Sequence, residues 1–245
     1  MPTARAVVAG LAICQFATLL TTVYLHRALS HRALTLAPGV VGPIRFLLWI
    51  TTGIRPRQWV AVHRKHHAYT DVEGDPHSPL LHGFTTVQFA NVVLYRQALR
   101  DGTLVTRYAR DLPADRWDRL LFDHAFVGLT LGTTTLCLVL GLWPGLMAAA
   151  IHTVTYLLLN AAINAIGHAF GSQPHPNRAR NNQWLALMTF GEGLHNNHHA
   201  APTSARLALA RREVDPAWWV IRLLVRRGWA TVRLDEARVK ERLAS

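Results

Sequence analysis

The feature that most limits how this chain can fold is a stretch from His124 to Asn177 that contains no Asp, Glu, Lys or Arg. A second uncharged run extends from Ala6 to Leu25, about the 20 residues that a helix needs to cross the hydrocarbon of a membrane. Only 16% of the chain is charged and 50% is hydrophobic, which excludes a disordered chain. The sequence therefore favours helices embedded in a membrane.

The longer run is too long for one crossing, and Trp143-Pro144-Gly145 predicts a turn inside it. Another apolar segment, from Val40 to Ile54, is short and contains Arg45, which indicates a helix lying in the membrane interface. We therefore expect crossings at about 6–25, 124–142 and 146–167.

The basic residues are distributed unevenly along the chain, which has 26 Lys and Arg against 14 Asp and Glu. With three crossings, residues 26–123 and 168–245 share one face, and every basic residue except Arg5 lies there. The positive-inside rule makes that face cytoplasmic. We expect an all-α, integral membrane bundle, residues 1–245 forming one domain with a cytoplasmic helical cap. The net charge of +12 then needs no nucleic acid partner, and the charged tail from Val232 suggests no chemistry.

Nine of the 14 histidines lie in short motifs on the predicted cytoplasmic face. Positions i, i+3 and i+4 share a helix face, so each HxxHH triplet is predicted to offer three imidazoles to one point. Residues five apart lie some 140° apart on an ideal helix, so the HxxxxH pair converges only if its helix ends or kinks near Ser30. The motif histidines are His26 and His31, then His63, His66 and His67, then His168, and finally His195, His198 and His199.

Nine imidazoles exceed the four ligands of a single zinc, and two metals with four or five ligands each would use them all. Imidazole suits Zn, Cu, Fe and Ni, so the ligand type leaves the metal open. Cys14 and Cys137 lie in apolar runs and are expected to be small buried hydrophobic side chains. The remaining histidines are expected not to bind metal: His77, His82, His124, His152 and His175.

The order HxxxxH, HxxHH, HxxHH resembles the membrane fatty acid desaturases, most closely the acyl-CoA branch that includes stearoyl-CoA desaturases. Asp75-Pro76-His77 after the second motif, Gly191-Glu192-Gly193-Leu194 before the third, and the Asn164-x-x-x-His168 spacing also resemble that branch. The resemblance implies two irons held by the nine histidines, a water held by Asn164, and O2-dependent desaturation of a long acyl thioester such as acyl-CoA. It also implies a separate ferredoxin- or cytochrome-type electron donor with its reductase, and surrounding membrane lipid. A mid-chain methylene has no acidic proton, so the reaction needs a redox metal.

Several other side chains are assigned roles around this site. Asp71, Asp75 and Glu192 are candidates to orient imidazole N–H groups, and this role is favoured for Asp71 and Glu192. The alternatives are turn chemistry before Pro76 for Asp75 and helix capping for Glu192. Trp59 is predicted to line a substrate tunnel, with packing at the interface as the alternative. Arg64 is predicted to bind the substrate, and the other candidate phosphate ligands are Arg55, Arg57, Arg178 and Arg180.

Two departures from the family pattern and two other functions stay open. Animal members have two crossings before the first histidine motif, where this chain has room for one, and an Arg-Asp pair where this chain has Ala61-Val62, which leaves CoA recognition open. A hydroxylase on the same scaffold would share the histidine spacing and differ in its product. A His-rich metal transporter or storage protein is less favoured because transport needs ionisable ligands inside the crossings.

Overall fold

The computed structural model describes residues 2–234, which are mostly helical. Two segments are π-helical, Thr21–Ser30 and Asp118–Phe122. The strands are β1, Leu34–Leu36, and β2, Ala230–Val232. The α-helices are α1 Pro2–Leu20, α2 Pro38–Thr52, α3 Pro56–Ala68, α4 Pro79–His82, α5 Phe84–Ala98, α6 Leu104–Tyr108, α7 Ala125–Leu140, α8 Leu142–Ala169, α9 Gln183–Met188, α10 His195–Ala200 and α11 Pro216–Arg226.

Two long helices form the centre of the bundle. One is α1 continued by the π-helical segment, Pro2–Ser30, and the other is α8; both are long and apolar enough to cross a membrane. They run parallel, because Gly10 packs on Ala148 while Thr21, further along the first helix, bonds Tyr156, further along α8. Their carboxyl ends therefore lie at the same end of the bundle.

The chain turns between α7 and α8 at Gly141, earlier than the predicted turn at Trp143-Pro144-Gly145. Gly141 has φ 91° and ψ 157°, a conformation that a side chain would disfavour. Pro144 is instead in the first turn of α8, where its missing N–H costs no helical hydrogen bond. α7 has 16 residues, shorter than the usual crossing.

Helix α2 occupies the segment predicted to lie at the interface and packs across α7 at two glycines. A Cβ on Gly128 would lie 2.5 Å from the backbone oxygen of Trp49, and one on Gly132 would overlap that of Ile50. The backbones can approach this closely only because both positions lack a side chain, as at other small-residue helix contacts. Trp49 Nε1 also donates to the backbone oxygen of His124 at 3.0 Å.

The described chain is mostly helical, as expected, and it also contains a small antiparallel sheet formed by β1 and β2. Leu34 pairs with Val232 and Leu36 with Ala230. The sheet fastens the segment after His31 to the end of the described chain. The predicted charged tail is described only as far as Leu234, and residues 235–245 lie outside the described residues.

The α2–α7 contact leads to a test of packing. Gly132→Ala should destabilise the protein by about 1–3 kcal/mol, because the new methyl group must push the two backbones apart. Gly42→Ala, in α2, is the matched control, because none of residues 2–234 lies within 4 Å of a Cβ at that position, and it should be neutral or slightly stabilising. Thermal unfolding of both variants in detergent measures this, and equal midpoints would contradict the packing described.

Candidate metal centre

The nine motif histidines converge at one end of the bundle and form two clusters. In each cluster the possible ligand atoms all lie within 4.8 Å of one another. They are brought there by the end of the first long helix, the end of α8, α3 and α10. Cluster A consists of His26, His31, His63, His67 and His198, and cluster B consists of His66, His168, His195 and His199.

Each HxxHH triplet is divided between the clusters, so the prediction that it offers three imidazoles to one point was wrong. His63 and His67 belong to cluster A and His66 to cluster B; α10 contributes His198 to cluster A and the other two to cluster B. On a helix, residues i and i+4 are about 40° apart, whereas i+3 lies about 60° from i on the other side. One triplet can therefore serve two neighbouring points.

The first pair, His26 and His31, converges through a π-helical turn. The His31 N–H donates to the His26 backbone oxygen at 3.2 Å, and Ser30 Oγ donates to that of Leu25 at 2.8 Å, both spanning five residues. This pattern stacks residues five apart, and the two rings lie 4.8 Å apart. The helix ends at Ser30 as expected, but the π form brings the rings together, a device frequent at functional sites.

Three buried carboxylates fix the orientation of three of these rings. Nδ1 of His26 donates to Glu192 at 2.8 Å, Nδ1 of His168 donates to Asp71 at 2.7 Å, and Nδ1 of His66 donates to Asp75 at 2.9 Å. A ring protonated at Nδ1 presents the lone pair of Nε2 to its cluster, as a metal ligand must. His168 Nε2 is buried and has no hydrogen-bond partner within the described part of the chain. The donor set therefore fits metal ions that imidazole favours.

Burial controls the protonation of the centre. It lowers the pKa of His63, His67 and His198 well below the usual value, so these rings are neutral and free to bind metal. Burial raises the pKa of the Asp75 carboxyl, but its hydrogen bonds and electrostatic interactions with His66 and His77 together outweigh burial and lower that pKa to about 2. The Glu192 pKa is likewise lowered, against burial, by its interaction with His26.

Asp75 is a site residue that sequence reasoning considered but did not favour. Turn chemistry before Pro76 was the alternative, yet its carboxylate accepts from His66 as well as from the backbone N–H groups of Asp71 and His77. Its position nine residues after His66 in the Asp-Pro-His segment was the available signal. Asp71 and Glu192 occupy the orienting positions predicted for them.

A buried arginine connects the first motif to the third. Arg27, 1% exposed, donates all five of its N–H groups: two to Asp215 at 2.8 and 2.9 Å, and the others to Thr22 Oγ1 and the backbone oxygens of Phe190 and Ala205. Its Nε also lies 3.7 Å from Glu192. A Cβ on Gly191 would collide with Asp215, which explains the glycine beside Glu192.

A cavity of about 570 Å³ reaches both clusters. It touches His26 and His63 of cluster A and His195 of cluster B, and Asn164 lines it one turn before His168. Trp59, predicted to line a tunnel, does line this cavity and stacks on His63 at 5.0 Å. The hydroxyl groups of the lining residues Thr18 and Thr21 bond carbonyls of their own helix, so the wall is largely apolar.

Arg64 occupies a different environment from the one its predicted role requires. Its five N–H groups go to the backbone oxygens of Leu29, Ser30 and Tyr108 and to both oxygens of Asp111. Substrate binding by Arg64 stays a prediction, and this geometry weighs against it because no N–H remains for a phosphate. Arg55, by contrast, lines the cavity.

The five other histidines lie outside both clusters. His82, His124 and His152 each have a ring nitrogen within 3.2 Å of a backbone oxygen, an ordinary structural role. His175 bonds Asn196 through its backbone. His77 is different, because it is buried beside His66 and Asp75 and lines the cavity.

Asp75→Asn should weaken metal binding about 10–100-fold, as is typical when the orienting partner of a ligand is changed. The amide keeps the size of the carboxylate but turns one acceptor into a donor facing other N–H groups. The metal content and metal affinity of the purified protein measure the effect. Asp101→Asn is the control, since the exposed Asp101 belongs to neither cluster and accepts from Thr103 in its own loop; wild-type affinity in Asp75→Asn would refute the assigned role.

Asp215→Asn should lower stability by about 3–5 kcal/mol, because it leaves the buried charge of Arg27 without its bidentate partner. An amide oxygen can still cap α11, where Asp215 accepts from the Trp218 N–H. The loss of stability therefore comes from the other carboxylate contacts, which are the ion pair with Arg27 and the bond from the Leu207 N–H. The comparison is Arg32→Gln, which breaks an exposed pair with Asp111 and should cost less than about 1 kcal/mol. Thermal unfolding midpoints measure the loss of stability in each variant. Similar losses in both variants would contradict the expectation.

Comparison with known proteins agrees with the geometry. The sequence model of the family described as Fatty acid desaturase matches residues 2–232. The Delta-9 desaturase-like 4 protein of Arabidopsis thaliana is 32% identical over 247 residues, 96% of this chain and 79% of the relative. The Acyl-CoA C20 Delta5-desaturase of Anemone leveillei (32%; 86% of this chain, 68% of the relative) and the sn-2 palmitoyl-lipid 9-desaturase of Nostoc sp. (32%; 84% and 73%) are also similar. The chain therefore belongs to the fatty acid desaturase family and is an oxidoreductase.

Proposed function

We propose that this enzyme introduces a double bond into a long-chain fatty acyl substrate, using O2, two irons and electrons from a separate donor. The observation that carries the proposal is the largely apolar cavity that reaches both histidine clusters. An acyl chain inside this cavity would pass beside both clusters. The nine histidines would hold the irons, which supply the redox chemistry that an unactivated C–H bond requires.

The protein's own side chains would prepare the centre for this reaction. Glu192, Asp71 and Asp75 hold three imidazoles in one tautomer and orientation. Asn164, on the cavity wall one turn before His168, would hold a water next to cluster B. Trp59, stacked on His63, would separate the acyl chain from solvent and fix its approach to cluster A.

The family is membrane-bound, and two helices of this chain have the length and composition to cross. We propose three crossings, formed by Pro2–Ser30, α7 and α8, with the clusters at the cytoplasmic face. The parallel course of the two long helices supports this arrangement, because it brings both carboxyl ends to one face. The basic residues concentrate on the same side in this topology. Because α8 is longer than the stretch needed to cross the hydrocarbon, its carboxyl end would place His168 at the membrane interface.

The substrate class is proposed at the level of a fatty acyl group. The similar proteins include one named for acyl-CoA and one named for a palmitoyl-lipid. Acyl-CoA is our first candidate, although Ala61-Val62 replaces the charged pair expected for CoA. Arg55, on the cavity wall, is better placed than Arg64 to contact a phosphate of the head group.

Expression in a host of known lipid composition, followed by mass spectrometry of its fatty acids, tests the reaction. A new double bond is expected, whereas an alcohol would favour a hydroxylase on the same scaffold. His198→Ala should reduce product more than about 100-fold and lower the iron content below two per chain, because His198 faces His26 at 3.1 Å and His67 at 2.9 Å.

His124→Ala is the matched control, since this exposed histidine lies outside both clusters. It should leave both product and iron at wild-type levels. Membrane insertion is verified for each variant, so that loss of activity is not confused with loss of the protein. Full activity in His198→Ala would overturn the assignment of the clusters as the iron site.

A further inference from the structure

His77 is a buried histidine for which the nine-ligand site has no use. It is 6% exposed and follows Asp75-Pro76, and its backbone N–H donates to Asp75 Oδ1 at 3.0 Å. Its ring lies 4.7 Å from that of His66. The carboxylate that orients His66 therefore also holds the backbone of His77, whose ring lies beside cluster B.

The ring of His77 has an unsatisfied polar atom. Its Nε2 is buried and has no hydrogen-bond partner among residues 2–234. An unpaired polar atom in the interior costs about 1–3 kcal/mol, and such atoms in native proteins are commonly satisfied by water. His77 lines the cavity, as does Asn164, so a water molecule has both room and a polar wall at this end.

The proposed reaction creates a need for ordered water at this place. Desaturation takes two hydrogens from the acyl chain and consumes one O2, two electrons from the donor and two protons, releasing two water molecules. Protons must arrive and water must leave beside the clusters, while the hydroxyl groups of Thr18 and Thr21 in the wall donate to carbonyls of their own helix. A hydrogen-bonding group at the metal end of a largely apolar cavity meets this need.

We propose that His77 is a positioning residue that holds a water molecule at the cluster B end of the cavity, on the route by which protons enter and product water leaves. This inference rests on the proposed desaturase function. The water, held by the imidazole, keeps proton delivery in step with electron delivery. Without it, O2 that has accepted two electrons and two protons would leave as hydrogen peroxide, and the acyl chain would keep its hydrogens.

His77→Phe tests the proposal, because phenyl preserves a ring against His66 and removes both nitrogens. We expect two irons per chain and an unchanged unfolding midpoint. The kcat should fall about tenfold with KM unchanged, because the reacting complex loses about one hydrogen bond. Hydrogen peroxide released per electron pair consumed should rise. His77→Gln, which restores a hydrogen-bonding group, should recover most of the coupling between oxygen use and product.

His124→Phe is the control for the same substitution at an exposed histidine outside the clusters. Wild-type coupling in His77→Phe would overturn the proposal, as would loss of iron in both His77 variants, which would make His77 a ligand or a structural support instead. The wild-type enzyme is assayed alongside. If it forms a double bond and binds two irons while His77→Phe behaves identically, only this inference fails; if it forms none, the proposed function fails.

Discussion

The buried ion pair of Arg27 and Asp215 is the interaction on which the rest of the site depends. It lies between the first histidine motif and α11, and its other hydrogen bonds reach the backbone on both sides of the third motif. A buried charge is stable only when every donor is paired, and Arg27 meets that condition with five acceptors. The same guanidinium lies beside Glu192, which orients His26. One interaction thus fixes the helix, the loop and the carboxylate of cluster A.

Cluster B is supported differently, by a compact turn. Asp71, held at a positive φ of 57°, accepts from His168, while Asp75 accepts from His66 and from the Asp71 N–H. Arg178 also donates to the Asp71 backbone oxygen at 2.5 Å. The two clusters therefore have separate supports, a buried ion pair for one and a turn bearing two carboxylates for the other. Both supports use carboxylates to orient imidazole rings.

The sequence predicted the parts of the molecule that depend on spacing and composition. Uncharged runs identified the long helices, and the histidine motifs identified every member of both clusters. The division of His63, His66 and His67 between the two clusters could not be predicted from the rule that residues i, i+3 and i+4 share a helix face. That rule gives the directions of side chains around one helix but not the positions of the neighbouring helices. The π-helical turn at His26 was also missed, since backbone form there follows from tertiary contacts. Arg64 has the charge expected of a substrate ligand. Only the packing shows that Asp111 and three backbone carbonyls accept its hydrogen bonds.

The divided triplets also determine how the two clusters are spaced. His66 and His67 are consecutive residues, as are His198 and His199, and in each pair one ring belongs to cluster A and the other to cluster B. Consecutive Cα atoms are about 3.8 Å apart whatever the helices around them do. The separation of the clusters is therefore tied to covalent geometry at two places. The helices of the bundle can therefore change their tilt in a deformable lipid bilayer while the distance between the two clusters stays the same.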